Sequence, residues 1–110
     1  MSEPLQEAPE MVDVTDEIFT VFGNGWLGQQ ALCIARHESG LQPWKVGYNK
    51  KNGMVLSRDR GVFQINDAAH PEVSDAQAFN PVFNIEWAYR TRLHDQNWHQ
   101  WTTAPLCHTY

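Results

Sequence analysis

The sequence predicts a small α+β domain that is mostly α-helical and carries one β-hairpin. Apolar residues recur at helical spacing over 26–39, which predicts a helix there. An Asn-Pro pair at 80–81 supplies a helix N-cap and a proline at the first helical position, and helical spacing continues to about residue 94. An Asn-Gly pair ahead of the apolar residues 54–56 predicts a hairpin tip and a short strand, within a segment, 41–56, that is otherwise loop.

The chain of 110 residues is one domain long, and its acidic residues gather at the N-terminus. Six of the thirteen acids precede residue 18, and no Lys or Arg precedes Arg36. We expect residues 1–14 to form a flexible acidic arm and residues 15–110 to form the domain. Thr15 is the predicted N-cap of a short first helix over 16–22. Since the domain itself is close to neutral, nucleic acid is not an expected partner, because phosphate binding requires a basic patch.

Glu38 is the last member of the apolar face of the 26–39 helix, and Gly40 supplies the helix stop. An acid at the edge of an apolar wall is partly desolvated, which raises its pKa and lets it act as a general acid. Asp59 lies between Arg58 and Arg60, which we expect to keep it ionised. Two carboxyl groups in opposed environments are typical of glycoside hydrolysis. The alternative is a solvated Glu38 that never meets Asp59.

Three stretches, in order, resemble the lysozyme-like superfamily, in particular its transglycosylase SLT domains. ALCIARHESGLQPWKVG is similar to the opening helix and its Glu-Ser motif, where the Glu is the catalytic acid. SRDRGVFQIN is similar to the Gly-x-x-Gln-Ile motif, and NPVFNIEWAYR to the helix that follows it. The resemblance covers roughly residues 26–101 and implies a lysozyme-like fold with a small hairpin region beside the catalytic helix.

The resemblance implies cleavage of the β-1,4 bond between N-acetylmuramic acid and N-acetylglucosamine in the peptidoglycan glycan strand, without a cofactor. Glu38 would be the general acid and Asp59 the second carboxylate, and five further residues would bind substrate: Ser39, Gln64, Asn66, Tyr89 and Trp101. Gln64 can both donate to and accept from a sugar. Tyr89 could hydrogen-bond Glu38 or substrate, but we prefer a role at the edge of the core. Of Trp98 and Trp101, one could stack under a sugar while the other closes the core.

The family pattern leaves two reactions open. The stretch SRDRG resembles chicken-type lysozymes, in which an Asp two residues before the Gly is the second carboxylate, whereas Pro43 and the helix over 81–93 resemble SLT domains. The Ala-Tyr-Asn motif of SLT enzymes and the double Trp of chicken-type lysozymes are both missing. We expect lysozyme-type hydrolysis in preference to lytic transglycosylation.

Cys33 and Cys107 also resemble a chicken-type pair, in which a cysteine five residues before the catalytic Glu is bridged to one near the C-terminus. The resemblance implies a disulfide, and the alternative is two free thiols, as in a reducing cytosol. The five histidines show no HExxH pattern or other ligand spacing, so no metal site is predicted.

No apolar run approaches the ~20 residues that cross a membrane, and residues 1–11 lack the regions of a secretory signal. A protein acting on the bacterial cell wall would then be delivered by a phage virion, by lysis or by a larger export system. A second hypothesis is a non-catalytic peptidoglycan-binding or structural module of a phage virion or larger cell-wall assembly. We prefer an enzyme because Glu38, Ser39 and Gln64 are all present.

Overall fold

The computed structural model describes residues 11–110, so residues 1–10 of the predicted arm lie outside the described part of the chain. The described residues form, in order, α1 (Val14–Phe22), α2 (Trp26–Ser39), β1 (Val46–Lys51), β2 (Met54–Arg60), β3 (Ile65–Asn66), α3 (Asp75–Ala78), α4 (Pro81–Asp95) and a 3-10 helix (Ala104–Cys107). The predicted α+β, mostly α fold is confirmed. No helix of residues 11–110 has the length and apolarity that crossing a membrane requires.

Helix α1 begins earlier than predicted. Its N-cap is Asp13, whose carboxylate accepts a hydrogen bond of 2.9 Å from the Asp16 amide, so the assignment of Thr15 as N-cap was wrong. The earlier start buries Val14 together with Ile18 and Phe22, which share one helix face at spacings of four residues.

Helix α2 spans Trp26–Ser39, as the spacing predicts, and ends at Gly40 in the left-handed conformation that favours glycine. Its buried face joins α1, α4 and the C-terminal segment in one core. The largest fully buried side chains of that core are Ile18, Ile34, Phe63, Ile85 and Trp98. Glu38 therefore lies at the end of a helix whose neighbouring turns face the core.

The strands form one antiparallel sheet in the order β1-β2-β3. Asn52 and Gly53 both have positive φ, as the predicted hairpin tip requires. The prediction of 41–56 as mostly loop was wrong, because β1 and β2 pair from the tip to Arg60. The hairpin is largely polar and exposed, so it lacks the alternation of apolar residues by which strands are detected.

Asn84 of α4 connects that helix to the segment after β2. Its side-chain amide is fully buried, donates to the carbonyls of Arg60 (3.0 Å) and Ala78 (2.8 Å), and accepts from the Phe63 amide (2.8 Å). Gly61 packs against the same amide, and a Cβ there would lie 2.5 Å from the Asn84 nitrogen. These contacts hold the turn between β2 and β3, which carries Gln64.

Candidate active site

Glu38 lies half-buried in the last turn of α2, and its carboxyl accepts a hydrogen bond of 2.7 Å from the Thr103 hydroxyl. Burial raises the pKa of Glu38 above its ordinary value, because the charged form loses hydration. The Thr103 hydrogen bond lowers this pKa, the charge of Asp59 raises it, and that of His37 lowers it, each by less than burial. The net effect favours a protonated Glu38, which is the state that a general acid needs.

Asp59 lies on β2, directly across from Gly47 of β1. Its two oxygens accept hydrogen bonds from side-chain amides, one from Asn49 at 3.0 Å and one from Asn66 at 2.8 Å. A Cβ at Gly47 would lie 2.9 Å from the Gln64 Oε1 and 3.6 Å from an oxygen of Asp59. The missing side chain at Gly47 thus lets Gln64 and Asp59 lie close together.

The expectation that Arg58 and Arg60 surround the Asp59 carboxyl was wrong. Arg58 pairs with Asp67 (3.0 Å) and Asp75 (2.8 Å), and the buried Arg60 also pairs with Asp75 (2.9 Å). Because side chains alternate along a strand, both arginines point to the opposite face of the sheet from Asp59. The polar neighbours of Asp59 are the two asparagine amides instead.

A cavity of about 200 Å³ opens beside Asp59. Its lining includes four of the predicted site residues, Asp59, Gln64, Asn66 and Trp101. The indole of Trp101 is buried and donates a hydrogen bond of 2.9 Å to the Phe63 carbonyl, so its ring forms a fixed wall. Glu38 is not among the residues that line this cavity, although the charge of Asp59 contributes to the raised pKa of Glu38.

Comparison with known protein families gives one finding that bears on this geometry. Residues 23–103 match the family described as "Lysozyme like domain", which accounts for most of the chain. The chain belongs to the lysozyme-like domain family. No curated protein and no solved structure matches it. Membership indicates a peptidoglycan-active glycosidase or lytic transglycosylase. The chain has both a Glu at a helix end and a second carboxylate on a cavity wall.

Gln64 and Asn66 have different surroundings within the lysozyme-like domain. The Gln64 amide nitrogen donates to the carbonyls of Gly61 (2.9 Å) and Lys45 (3.2 Å). Among residues 11–110 no donor occupies the carbonyl oxygen of Gln64, so this oxygen can accept from a ligand. Both ends of the Asn66 amide are occupied, since the nitrogen donates to Asp59 and Ser57 and the oxygen accepts from two backbone amides. Asn66 therefore orients Asp59, and direct substrate binding by Asn66 stays a prediction.

Ser39 and Tyr89 are not brought into the cavity. Ser39 is buried, and its hydroxyl donates to the Ala35 carbonyl of its own helix at 3.2 Å. The Tyr89 ring packs edge-on against Phe22, with centroids 5.2 Å apart, and within residues 11–110 it makes no hydrogen bond to Glu38. This geometry argues against direct substrate contact by either residue and favours the core-edge alternative for Tyr89.

Sequence reasoning missed two residues that contact the carboxyl groups. Thr103 lies 65 positions from Glu38, and no spacing rule connects them. The cross-strand partner of Asn49 can be predicted by counting residues outward from the hairpin tip. An irregularity between Asn49 and Lys50 shifts the strand register, however, so Asn49 pairs with Ser57. Simple counting would have placed Asn49 across from Leu56, away from Asp59.

Cys33 and Cys107 form a disulfide that joins α2 to the C-terminal segment. The bridge holds the segment carrying Thr103 against the helix that carries Glu38. His37 lies with its ring within 4.8 Å of both sulfur atoms, a grouping that could ligate a metal. The two sulfurs are bonded to each other, however, so neither is a thiolate, the form in which cysteine binds zinc.

Proposed function

We propose that the chain is a muramidase that cleaves the β-1,4 bond between N-acetylmuramic acid and N-acetylglucosamine in bacterial peptidoglycan. The observation that carries the proposal is the pairing of Glu38, whose pKa burial raises, with Asp59 on the cavity wall of a lysozyme-like domain. The two carboxyl groups differ in their surroundings: Glu38 is half-buried and accepts from one hydroxyl, whereas Asp59 accepts from two side-chain amides. Such a difference suits an acid and a carboxylate partner in glycoside cleavage.

In the proposed reaction Glu38 protonates the glycosidic oxygen as the bond breaks. The sugar left behind develops positive charge in an oxocarbenium-like transition state, which an anionic carboxylate stabilises. Asp59 suits that role, because two side-chain amides donate hydrogen bonds to its oxygens and hold the carboxyl group in place. It could then trap the sugar or activate a water molecule.

Hydrolysis is our preferred reaction over lytic transglycosylation. In transglycosylation the sugar's own 6-hydroxyl attacks and Glu38 returns as the base, so no second carboxylate is needed. The positioning of Asp59 by Asn49 and Asn66 would have no purpose in that reaction. In hydrolysis a fixed carboxylate would have a role, because it would stabilise the positive charge that develops on the sugar.

Digestion of purified peptidoglycan by the wild type, Glu38→Gln and Asp59→Asn tests the proposal, with products identified by mass spectrometry. We expect soluble muropeptides with reducing ends from the wild type and a loss of about 10²-fold or more in Glu38→Gln, the usual contribution of a general acid. Asp59→Asn should also lose hydrolysis. Products with 1,6-anhydro ends, unaffected by Asp59→Asn, would instead indicate transglycosylation.

Full activity in Glu38→Gln would contradict the assigned acid. No release of muropeptides by folded wild type would contradict an enzyme altogether. In that event, sedimentation of the protein with insoluble peptidoglycan would test the second hypothesis, a binding or structural module.

A further inference from the structure

The Thr103 hydroxyl contacts one of the two oxygens of the Glu38 carboxyl. Within residues 11–110 the Thr103 hydroxyl is the one hydrogen-bond partner of the Glu38 carboxyl, and the bond goes to Oε2 at 2.7 Å. A hydroxyl that donates to one carboxyl oxygen leaves the acidic proton to the other oxygen. The proton of Glu38 is then confined to Oε1.

We propose that Thr103 is a positioning residue for Glu38, which keeps Oε2 as a hydrogen-bond acceptor and reserves Oε1 for the proton that is donated. The inference rests on the proposed function, in which Glu38 is the general acid. Once Glu38 has given up its proton, the same hydroxyl donates to the carboxylate and stabilises its charge. Thr103 thus orients the protonated carboxyl group before proton transfer and stabilises the carboxylate after it.

The backbone around Thr103 is held firmly enough for this task. On one side, the amide of Ala104 donates to the carbonyl of the buried Trp101 at 3.1 Å. On the other, the amide of Leu106 donates to the Thr103 carbonyl at 2.9 Å, within the 3-10 helix that Cys107 ends. The disulfide then ties Cys107 to the helix of Glu38. The hydroxyl is therefore pre-organised toward the carboxyl rather than drawn to it during the reaction.

The electrostatic effect has a definite sign. The Thr103 hydrogen bond lowers the pKa of Glu38 and so opposes the larger effect of burial. Without the hydroxyl, Glu38 would hold its proton to a higher pH and release it less readily. Removing the hydroxyl should move the alkaline limb of the pH–activity profile upward and reduce kcat.

Two substitutions at this position separate the hydroxyl from the shape of the side chain. Thr103→Val keeps the branched shape without the hydroxyl, whereas Thr103→Ser keeps the hydroxyl. We expect Thr103→Val to lower kcat by about 10- to 100-fold, the effect of one hydrogen bond to a charged group, with KM little changed. Thr103→Ser should recover most of the loss. The neighbouring exposed Thr102 offers a matched control, and Thr102→Val should leave kcat and KM as in the wild type.

A second measurement does not depend on activity. NMR titration of the Glu38 side-chain carboxyl carbon, in the absence of substrate, should show a higher pKa in Thr103→Val than in the wild type, Thr103→Ser and Thr102→Val. If Thr103→Val is folded and keeps both the wild-type pKa and the wild-type kcat, the inference is overturned. Equal losses in Thr103→Val and Thr103→Ser would also overturn it, because the hydroxyl would then not be the cause.

The two proposals fail in distinguishable ways. A wild type that releases no muropeptides contradicts the proposed function. Even then, a Glu38 pKa that is higher in Thr103→Val and normal in Thr103→Ser supports the hydrogen bond from Thr103 to Glu38. An active wild type with an unaltered Thr103→Val contradicts only the positioning by Thr103.

Discussion

Replacing Asn84 by alanine should destabilise the fold strongly. Asn84 is fully buried and makes three hydrogen bonds of 2.8–3.0 Å with backbone groups that precede it in the chain. Alanine removes all three and leaves two carbonyls and one N–H without that partner. A net hydrogen bond contributes roughly 1 kcal/mol, and a buried polar group left unpaired costs about 1–3 kcal/mol. Allowing for water entering the vacated space, we expect a loss of about 3–5 kcal/mol.

That loss is large against a typical unfolding free energy of about 5–15 kcal/mol. Asn80→Ala is the matched control, because it makes the same substitution at the start of the same helix. Asn80 is a half-buried N-cap that accepts from the amides of Val82 and Phe83, and its loss should cost about 1 kcal/mol. Urea unfolding followed by tryptophan fluorescence would compare the two variants with the wild type.

With a slope of about 1–3 kcal/mol per molar urea, the Asn84→Ala midpoint should fall by more than about 1 M. Since Asn84 also holds the amide of Phe63, next to Gln64, activity should fall at urea concentrations where the variant is still folded. An Asn84→Ala variant that loses no more stability than Asn80→Ala would refute the reasoning.

Two further predictions concern the acid and the disulfide. Because the folded protein raises the pKa of Glu38, this group's contribution to stability is fully present below its ordinary pKa and is lost as the pH rises through the raised value. Glu38→Gln should therefore have a higher Tm than the wild type at about pH 7 and nearly the same Tm at about pH 3; a Tm at neutral pH at or below the wild-type value would contradict this sign. The Cys33–Cys107 bridge joins residues 74 positions apart and should stabilise the fold by roughly 4 kcal/mol, because it restricts the unfolded chain. Thermal unfolding with and without a thiol reductant measures this effect, and the double variant Cys33→Ser/Cys107→Ser removes the bridge permanently. A Tm that neither the reductant nor the double variant lowers would contradict the prediction.

The elements that local patterns encode could be predicted from the sequence. Helix α2 has its predicted bounds, because the apolar spacing and the glycine at position 40 act within a few turns of chain. The Asn-Pro start of α4 and the Asn-Gly hairpin tip are local in the same way. The start of α1 was missed because Asp13 and Thr15 are both good N-caps, and burial of Val14 in the core favours the earlier one.

The surroundings of the two carboxyl groups were decided by the tertiary structure. The sequence by itself determined that Glu38 ends an apolar helix face and that Asp59 comes a few residues after a hairpin tip. It did not determine that Thr103 reaches Glu38, or that Arg58 and Arg60 turn away from Asp59. Those contacts depend on how α2, the sheet and the C-terminal segment pack against one another. Residues up to 65 positions apart meet around the two carboxyl groups, because the core, the shifted strand register and the disulfide bring them together.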